Sequence, residues 1–360
     1  MNNRMKYLKL LIIAFLSFSL FSCSKKEDLP TTEEEIPAEE TPEPESNETP
    51  KESELDKSYS LEAVDEGKII FYSSEDYYRY GPSIMKNEDG SYDAWFSSPG
   101  NSGSQWDWIA YRHSDDGTDW SEEEIVMRPT PGSKDQCSVC DPAMIYFGGY
   151  YYLGYTATDY YAGNGSYNMA FVARSENPDG PFEKWNGSSW GGDPEPIIYY
   201  DGGQDNWGIG EVSFVIKDED LFIYYTYIDV RDSYIGLFKA DLCDDWPSTM
   251  RNKGPVLYRP QMDSVEVVYD ETLDTFLAFS INNRMSQGSE IVMYESLNGK
   301  DFNEADSCKE MIEDYAHNMG VAKSAEGWVD SNEDLLAGYA YGKDWGRWNL
   351  KMQRLKVKYE

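Results

Sequence analysis

Short segments that alternate β-branched or aromatic residues with small or polar residues recur along the chain from about residue 67 onward. The alternation has the two-residue period of β-strands, and no stretch shows a convincing helical period of 3.6 residues. A unit of strand, turn, aromatic strand and third strand occurs five times, with a spacing of roughly 50–70 residues that is typical of propeller blades. The pattern predicts an all-β, five-bladed β-propeller of four-stranded antiparallel blades, with a polar pocket at one mouth of its axis. The units begin at Pro82, Pro142, Val212, Val265 and Met319.

The third strands end in a common type of turn. Two of these turns read SDDGTDW from Ser114 and SLNGKDF from Ser296. In such turns Gly supplies a positive φ and the Asp or Asn side chain caps the backbone. Fourth strands follow in EEIVMRP, EPIIYY and GPVLYRP, but the fifth unit lacks one. We expect Gly67–Ser73 to supply it by pairing with Leu350–Tyr359, which closes the ring and removes an exposed edge.

The N-terminal segment has a different composition. Arg4 and Lys6 precede the apolar stretch LKLLIIAFLSFSLF, whose length is typical of a signal peptide rather than of a membrane span. Residues 20–23 read LFSC and resemble the lipobox of a bacterial lipoprotein, in which Cys23 becomes the diacylated N-terminus. An ordinary signal peptide with an incidental cysteine is the alternative. On the lipobox interpretation, residues 1–23 are the signal, and we expect a lipid-anchored protein of the outer membrane. The CSKKED sequence that begins at Cys23 resembles surface-export signals, so the protein could also be exposed at the cell surface.

Residues 24–66 are rich in Glu, Pro, Ser and Thr and contain few aromatic residues. Such a segment is too polar to bury a core, so it is predicted to be a disordered acidic tether. Residues 67–360 then form one propeller domain, which is expected to act as a monomer.

The composition of the chain limits the classes of molecule that it is expected to bind. A formal net charge of −35 disfavours binding to nucleic acids or to anionic membranes, which leaves lipid anchoring as the expected membrane contact. Aromatic residues make up 15% of the chain, with 11 Trp and 29 Tyr. Rings that stack on sugars beside carboxylates that bind hydroxyl groups suit a carbohydrate ligand, although the same residues also fill sheet faces. The candidate sugar platforms are Tyr80, Trp106, Trp207 and Trp345.

Four cysteines follow Cys23. Cys137 and Cys140 form a lone CxxC without a second pair, which disfavours a zinc site. Cys243 and Cys308 both follow third strands of adjacent units, and an oxidising compartment would permit a disulfide between them.

The blade pattern, the Ser-x-Asp-Gly turns, the phrase ARSENPDGPFEKW from Ala173 and the strand start Asp141-Pro142 resemble glycoside hydrolase family 43 and its relatives in families 32, 62, 117 and 130. The resemblance extends over the chain from about residue 67. It implies a propeller glycosidase that inverts configuration with three acidic groups, one at the inner-strand start of each of three blades. One group activates water, one protonates the leaving oxygen and one tunes the pKa of the acid. Inversion requires a base and an acid ~6.5–9.5 Å apart.

The chain departs from this pattern in the first unit, where Gly81 occupies the position of the family's Asp, so the expected base is absent. Glu211 matches the third-blade position of the tuning acid, and the fourth-blade acid position falls near Asp263. Asp141 could instead only cap the turn before Pro142, and Glu211 follows Gly208 and Gly210, where the backbone must come close.

A shift of roles by one blade would restore a complete set. Asp141 would then be the base, Asp263 or Glu266 the tuning group, and the fifth unit would supply the acid. His317 stands at the start of that unit, and a histidine can donate a proton near neutral pH. Glycoside hydrolase family 117 is similar, in that a histidine takes the role of the general acid.

Two functions are consistent with these residues. The first is a glycoside hydrolase that acts on plant or algal polysaccharides or oligosaccharides. The alternative is a non-catalytic glycan-binding propeller of a polysaccharide-uptake system. No cofactor is expected for either, and calcium in the central pocket is compatible with both.

Overall fold

The computed structural model describes residues 58–73, 77–102, 105–163, 165–258 and 264–359. These residues form five antiparallel sheets arranged as a five-bladed β-propeller, which confirms the predicted fold class. In these ranges no helix is long and apolar enough to cross a bilayer. The signal segment with Cys23 lies outside the described residues, as does Asp263, so both assignments stay predictions.

Two strands precede the first blade, and blades one to three follow in chain order. The strands are β1 (Tyr59–Ala63) and β2 (Lys68–Phe71); β3 (Tyr80–Lys86), β4 (Tyr92–Ser102), β5 (Gln105–Ser114) and β6 (Glu124–Met127) in blade one; β7 (Ser138–Phe147), β8 (Tyr150–Thr158), β9 (Met169–Ser175) and β10 (Glu183–Lys184) in blade two; and β11 (Gly208–Lys217), β12 (Asp220–Ile228), β13 (Ser233–Asp241) and β14 (Arg251–Leu257) in blade three.

Blades four and five complete the ring, and two short 3-10 helices lie at Tyr161–Gly163 and Trp246–Thr249. The remaining strands are β15 (Glu266–Asp270), β16 (Thr275–Asn282), β17 (Glu290–Ser296) and β18 (Asn303–Cys308) in blade four, and β19 (Ala316–Val321), β20 (Trp328–Val329), β21 (Leu335–Tyr341) and β22 (Asn349–Tyr359) in the last part of the chain.

The ring closes through blade five, which combines both ends of the described chain. The sheet runs β19-β21-β22-β1, and β2 also pairs with β22. Pairing of Gly67–Ser73 with the C-terminal strand is thus confirmed for Lys68–Phe71. The outer strand, however, is mainly β1, which the sequence analysis placed in the tether. That boundary was wrong: YSLEA is short, but Tyr59 and Leu61 are buried in the core of blades four and five.

A second correction concerns the fourth strand of blade two. It is Glu183–Lys184, whereas EPIIYY contributes one isolated bridge, between Ile198 and Ala170. The predicted corner turns are present: the Asp116 side chain accepts hydrogen bonds from the backbone N–H groups of two following residues, and Asn298 does the same in its turn.

The inner strand of each blade is interrupted at the mouth of the propeller. Register shifts mark this point in blades one, two, three and five. The residue there has a positive φ, a conformation that non-glycine residues seldom adopt and that commonly accompanies β-bulges and functional sites. The five bulge residues and their φ angles are Gly81 (59°), Asp141 (47°), Glu211 (47°), Ser264 (55°, just before β15) and Asn318 (41°).

The opposite end of the axis is crossed by residues 323–329, which we call the strap. Its carbonyl groups accept backbone hydrogen bonds from blades one to four in turn, and β20 extends it by pairing with β15. The strap therefore ties the connection between β19 and β21 to the inner strands of the other four blades. The donors are Lys86, Tyr146, Ile216 and Tyr269, at 2.8, 2.9, 2.8 and 3.1 Å.

All four described cysteines are free, so the predicted Cys243–Cys308 disulfide is wrong. Cys243 packs against the core formed by blades one to three, in the turn that carries Trp246. Cys308 ends β18 and is buried in the core that blades four and five share. The two thiols therefore belong to different hydrophobic cores, although their places in the sequence repeat look equivalent.

Candidate active site

A cavity of about 540 Å³ opens at the mouth where the inner strands begin. All five blades contribute to its wall, so residues that are far apart in the sequence converge on the axis. Most of the predicted site residues are among its lining residues: Tyr80, Trp106, Asp141, Trp207, Glu211, His317 and Trp345.

Asp141 lies on the floor of this cavity and is buried. Its backbone N–H donates to the Ser97 hydroxyl at 2.9 Å, and the Cys140 thiol donates to its Oδ2 at 3.3 Å. A Cβ atom at Gly81 would lie 3.0 Å from Asp141 Oδ1. The blade-two carboxylate thus lies directly beside Gly81, the position to which the sequence resemblance assigned a blade-one Asp, and the glycine leaves room for it.

Glu211 is the equivalent residue of the next blade. Its Oε1 accepts a hydrogen bond from Asn318 Nδ2 at 2.8 Å, and its Oε2 accepts one from the backbone N–H of Ser264 at 2.7 Å. Its own backbone N–H donates to Thr156 Oγ1 at 2.7 Å. The bulge residues of blades four and five therefore orient this carboxylate and stabilise its charge.

Glu266, the sequence alternative to Asp263 as the tuning group, forms a buried ion pair. It lies two residues beyond the bulge, where its Oε1 pairs with Lys323 Nζ at 2.5 Å and accepts a hydrogen bond from the Ser213 hydroxyl at 2.9 Å. Both partners are buried, and Glu266 lines a narrow axial channel of about 20 Å³ beneath the cavity. We therefore interpret Glu266 as one half of a structural ion pair.

His317 is buried in β19 with its ring 4.6 Å from the Trp348 ring in an edge-on arrangement. Its Nδ1 lies 3.5 Å from the Tyr315 carbonyl oxygen, and the side chain lines the cavity. The only other histidine, His113, contacts Asp93 on blade one and does not line this cavity.

Asp107, near the start of β5, is a buried cavity residue that sequence reasoning missed. It accepts hydrogen bonds from the hydroxyl groups of Tyr78 at 2.6 Å and Ser138 at 2.8 Å. Burial raises the pKa of its carboxyl group in spite of these bonds and of one from Tyr80. Its position between Trp106 and Trp108 was the available signal, because an Asp flanked by two Trp residues is unusual in a buried strand.

Aromatic rings form the rim of the cavity. Trp106 stacks on Tyr161 with ring centres 5.9 Å apart, and Trp345 packs edge-on against Trp348 at 5.0 Å. The Trp345 side chain remains 74% exposed. Carboxylates at the floor and exposed rings at the rim are the combination that sugar-binding pockets use.

In the described ranges no group of three or more His, Cys, Asp or Glu side chains is arranged to hold a metal ion. Calcium in the pocket stays a prediction.

Solved structures share this propeller. Zg3597, a family 117 glycoside hydrolase produced by the marine bacterium Zobellia galactanivorans, matches with a TM-score of 0.60 at 18% identity over 84% of this chain and 90% of its own. The α-L-arabinofuranosidase PaAbf62A from Podospora anserina, in complex with cellotriose, matches with a TM-score of 0.58 at 9% identity over 83% and 97%. An endo-arabinase from Bacteroides thetaiotaomicron matches with a TM-score of 0.54 at 14% identity over 80% and 98%.

No protein-family model matches the sequence, and no curated protein does either. At these low identities the similarity is one of fold. The chain therefore has the five-bladed propeller fold of these glycoside hydrolases, as the resemblance seen in the sequence implied.

Proposed function

We propose that the protein is a glycoside hydrolase that acts on plant or algal polysaccharides or on oligosaccharides derived from them. The observation that carries this proposal is the pair Asp141 and Glu211. They are buried carboxylates on equivalent bulges of adjacent blades, at the floor of a cavity with an aromatic rim. The fold supports it, because similar propellers include an arabinofuranosidase in complex with cellotriose and a family 62 hydrolase in complex with xylotriose.

In the proposed inverting reaction Asp141 is the general base. It takes a proton from water, whose oxygen bonds to the anomeric carbon as the glycosidic bond breaks. Glu211, held by Asn318 and Ser264, orients the sugar and balances the positive charge that develops on its ring.

The leaving oxygen needs a proton from a third group, and the cavity offers two candidates. His317 is the one that the sequence indicates, since a histidine can act as a general acid near neutral pH. Asp107 is the other, because burial raises its pKa and so favours the protonated form that an acid catalyst requires.

A specific observation favours the second function, glycan binding without hydrolysis. Gly81 stands where the related families carry the base, and a degenerate site would keep its rings while losing that carboxylate. Turnover by the wild-type protein separates the two functions.

The test uses the chain of residues 24–360, which follows the predicted lipidation site Cys23. We would incubate it with aryl glycosides and with arabinan, arabinoxylan and agar oligosaccharides, and follow the first-formed anomer of any released sugar by proton NMR. The proposal predicts hydrolysis with inverted configuration. A retained configuration would exclude the role of Asp141 as a base acting on water, and binding without any hydrolysis would establish the alternative function.

We also propose that the protein is a lipoprotein anchored to the outer membrane through Cys23. The lipobox-like LFSC after an apolar stretch supports this. Metabolic labelling with palmitate should mark the wild-type protein, and a Cys23→Ala variant should carry no label.

A further inference from the structure

A second cavity, which we call the rear cavity, lies at the other end of the propeller axis. The inner strands begin at the candidate active site and end here, where Lys86, Tyr146 and Glu271 form part of the wall. The strap forms another part. The volume is about 460 Å³, similar to the 540 Å³ of the active-site cavity and within the ~300–1,000 Å³ of small-molecule sites.

The rear cavity is separate from the active site. Between the two lies the axial channel of about 20 Å³, which is too narrow for a sugar. Lys323 reaches from the rear wall into this region and forms the buried ion pair with Glu266. A ligand in the rear cavity therefore cannot reach Asp141 or Glu211 through the protein.

Aromatic rings line one side of the rear cavity. Tyr146 and Tyr151 face each other across β7 and β8 with ring centres 4.6 Å apart, and both are half-buried. Both side chains are among the residues that line the cavity. The Trp328 N–H already donates to the Ile216 carbonyl at 2.5 Å, which leaves the indole ring as an apolar part of the wall.

The polar part of the wall is acidic. Its two ammonium groups are already engaged, Lys86 with Glu333 and Lys323 with Glu266. A surplus of carboxylates disfavours phosphate, sulfate and uronate ligands. Within the described ranges these carboxylates do not converge into a group that could hold a metal ion. Dispersed acceptors instead suit a ligand with many hydroxyl donors. The lining carboxylates are Glu88, Glu271, Glu326, Asp330, Glu333 and Asp334.

We propose that the rear cavity is a second, non-catalytic carbohydrate site that binds a neutral sugar unit. The apolar face of the sugar lies against Tyr146 and Tyr151, and its hydroxyl groups donate to the surrounding carboxylates. That the ligand is a carbohydrate rests on the proposed function, which makes glycans the substrate. A polysaccharide held at this face keeps other segments of the polymer near the mouth, so the effective concentration of substrate rises.

The test measures polysaccharide binding and small-substrate hydrolysis on the same proteins. The binding assay is affinity electrophoresis of residues 24–360 in gels that contain arabinan, arabinoxylan or agarose. The hydrolysis assay uses the best aryl glycoside. The variants are Tyr146→Ala with Tyr151→Ala, and separately Glu271→Gln, which leaves the rings intact and keeps the proposal testable if the double variant unfolds. Tyr258→Ala is the matched control, since Tyr258 is 63% exposed and lines neither cavity.

The double variant should bind the retarding polysaccharide about tenfold more weakly than the wild type, and Glu271→Gln about threefold, with aryl-glycoside hydrolysis unchanged. Tyr258→Ala should match the wild type in both assays. If the rear-cavity variants fold and bind the polysaccharide as tightly as the wild type, the proposal is overturned, even when hydrolysis is normal. If the wild type binds but hydrolyses nothing, and the rear-cavity variants lose binding, the catalytic proposal fails and the rear site stands. If no polysaccharide retards the wild type, the rear site is refuted whatever the hydrolysis assay gives.

Discussion

Replacing Lys323 with Met tests whether Glu266 is structural, as its contacts indicate. The lysine side chain is 1% exposed and its Glu266 partner 7%. The ammonium group binds Glu266 Oε1 at 2.5 Å and the Phe214 carbonyl at 2.9 Å. Met keeps most of the volume of the side chain, but it leaves a buried carboxylate without its cation and a carbonyl without its donor.

The expected cost follows from these contacts. Removing one partner of a buried ion pair typically costs about 3–5 kcal/mol, because the remaining charge is uncompensated. For a domain of this size each kcal/mol lowers Tm by roughly 2–4 °C, so Tm should fall by roughly 6–20 °C. Replacing both partners, Lys323→Met with Glu266→Leu, should recover most of this loss, because paired removal of buried charges is often close to neutral.

Urea unfolding of the wild type, both single variants and the double variant gives the coupling free energy directly. We expect each single substitution to lower the free energy of unfolding strongly, and the double substitution to lower it less than either one. Aryl-glycoside hydrolysis, measured well below Tm, should change little. A Lys323→Met variant within about 1 kcal/mol of the wild type would refute the structural interpretation. So would a Glu266→Gln variant with unchanged stability and lost activity, which would return Glu266 to the catalytic set.

Three further predictions concern positions at the mouth and at the ring closure. Gly81→Asp should abolish activity and destabilise by about 1–3 kcal/mol, because φ is 59° and the new Cβ would meet Asp141 Oδ1 at 3.0 Å. The control Gly90→Asp, where an added Cβ meets nothing within 4 Å, should keep activity; increased activity in Gly81→Asp would contradict the account. The pKa of Asp107 is raised in the folded state. The protonated carboxyl group therefore stabilises the fold at pH values below the usual pKa of an Asp, and this stabilisation is lost as the pH rises. The Tm advantage of the wild type over Asp107→Asn should therefore shrink between pH 4 and 7, and parallel Tm–pH profiles would refute this. Deleting residues 58–73 should expose β22 and cause aggregation in light scattering, whereas deleting 24–57 should not; equal behaviour would contradict the closure.

The fold could be predicted because its determinants are local. Alternation within each strand and the Gly-containing turns identify each blade from its own sequence. Strand β1 was not predicted, because little in its own sequence distinguishes it. Only Tyr59, Leu61 and Ala63 mark it, and it becomes recognisable as a strand through its pairing with β22 at the other end of the chain.

The site was predictable where a backbone irregularity leaves a trace in the sequence. Asp141 precedes a proline and Glu211 follows a glycine, and both prove to be bulge residues. Glu266 appeared equivalent because it lies close to the bulge position of blade four. Its partner Lys323 is 57 residues away, and no local pattern shows that the two meet.

Hydrolysis by Asp141→Asn and Glu211→Gln, compared with the wild type, shows whether these two carboxylates carry the reaction. Asp218→Asn is the matched control, since Asp218 is an exposed Asp with a φ of 58° in the turn between β11 and β12 of blade three. Asn tolerates the positive φ of Asp141, so Tm should change little. We expect kcat/KM to fall ~10²-fold or more in both site variants and to stay at the wild-type value in the control. Wild-type kcat/KM in both site variants would contradict the claim that these two carboxylates carry the reaction.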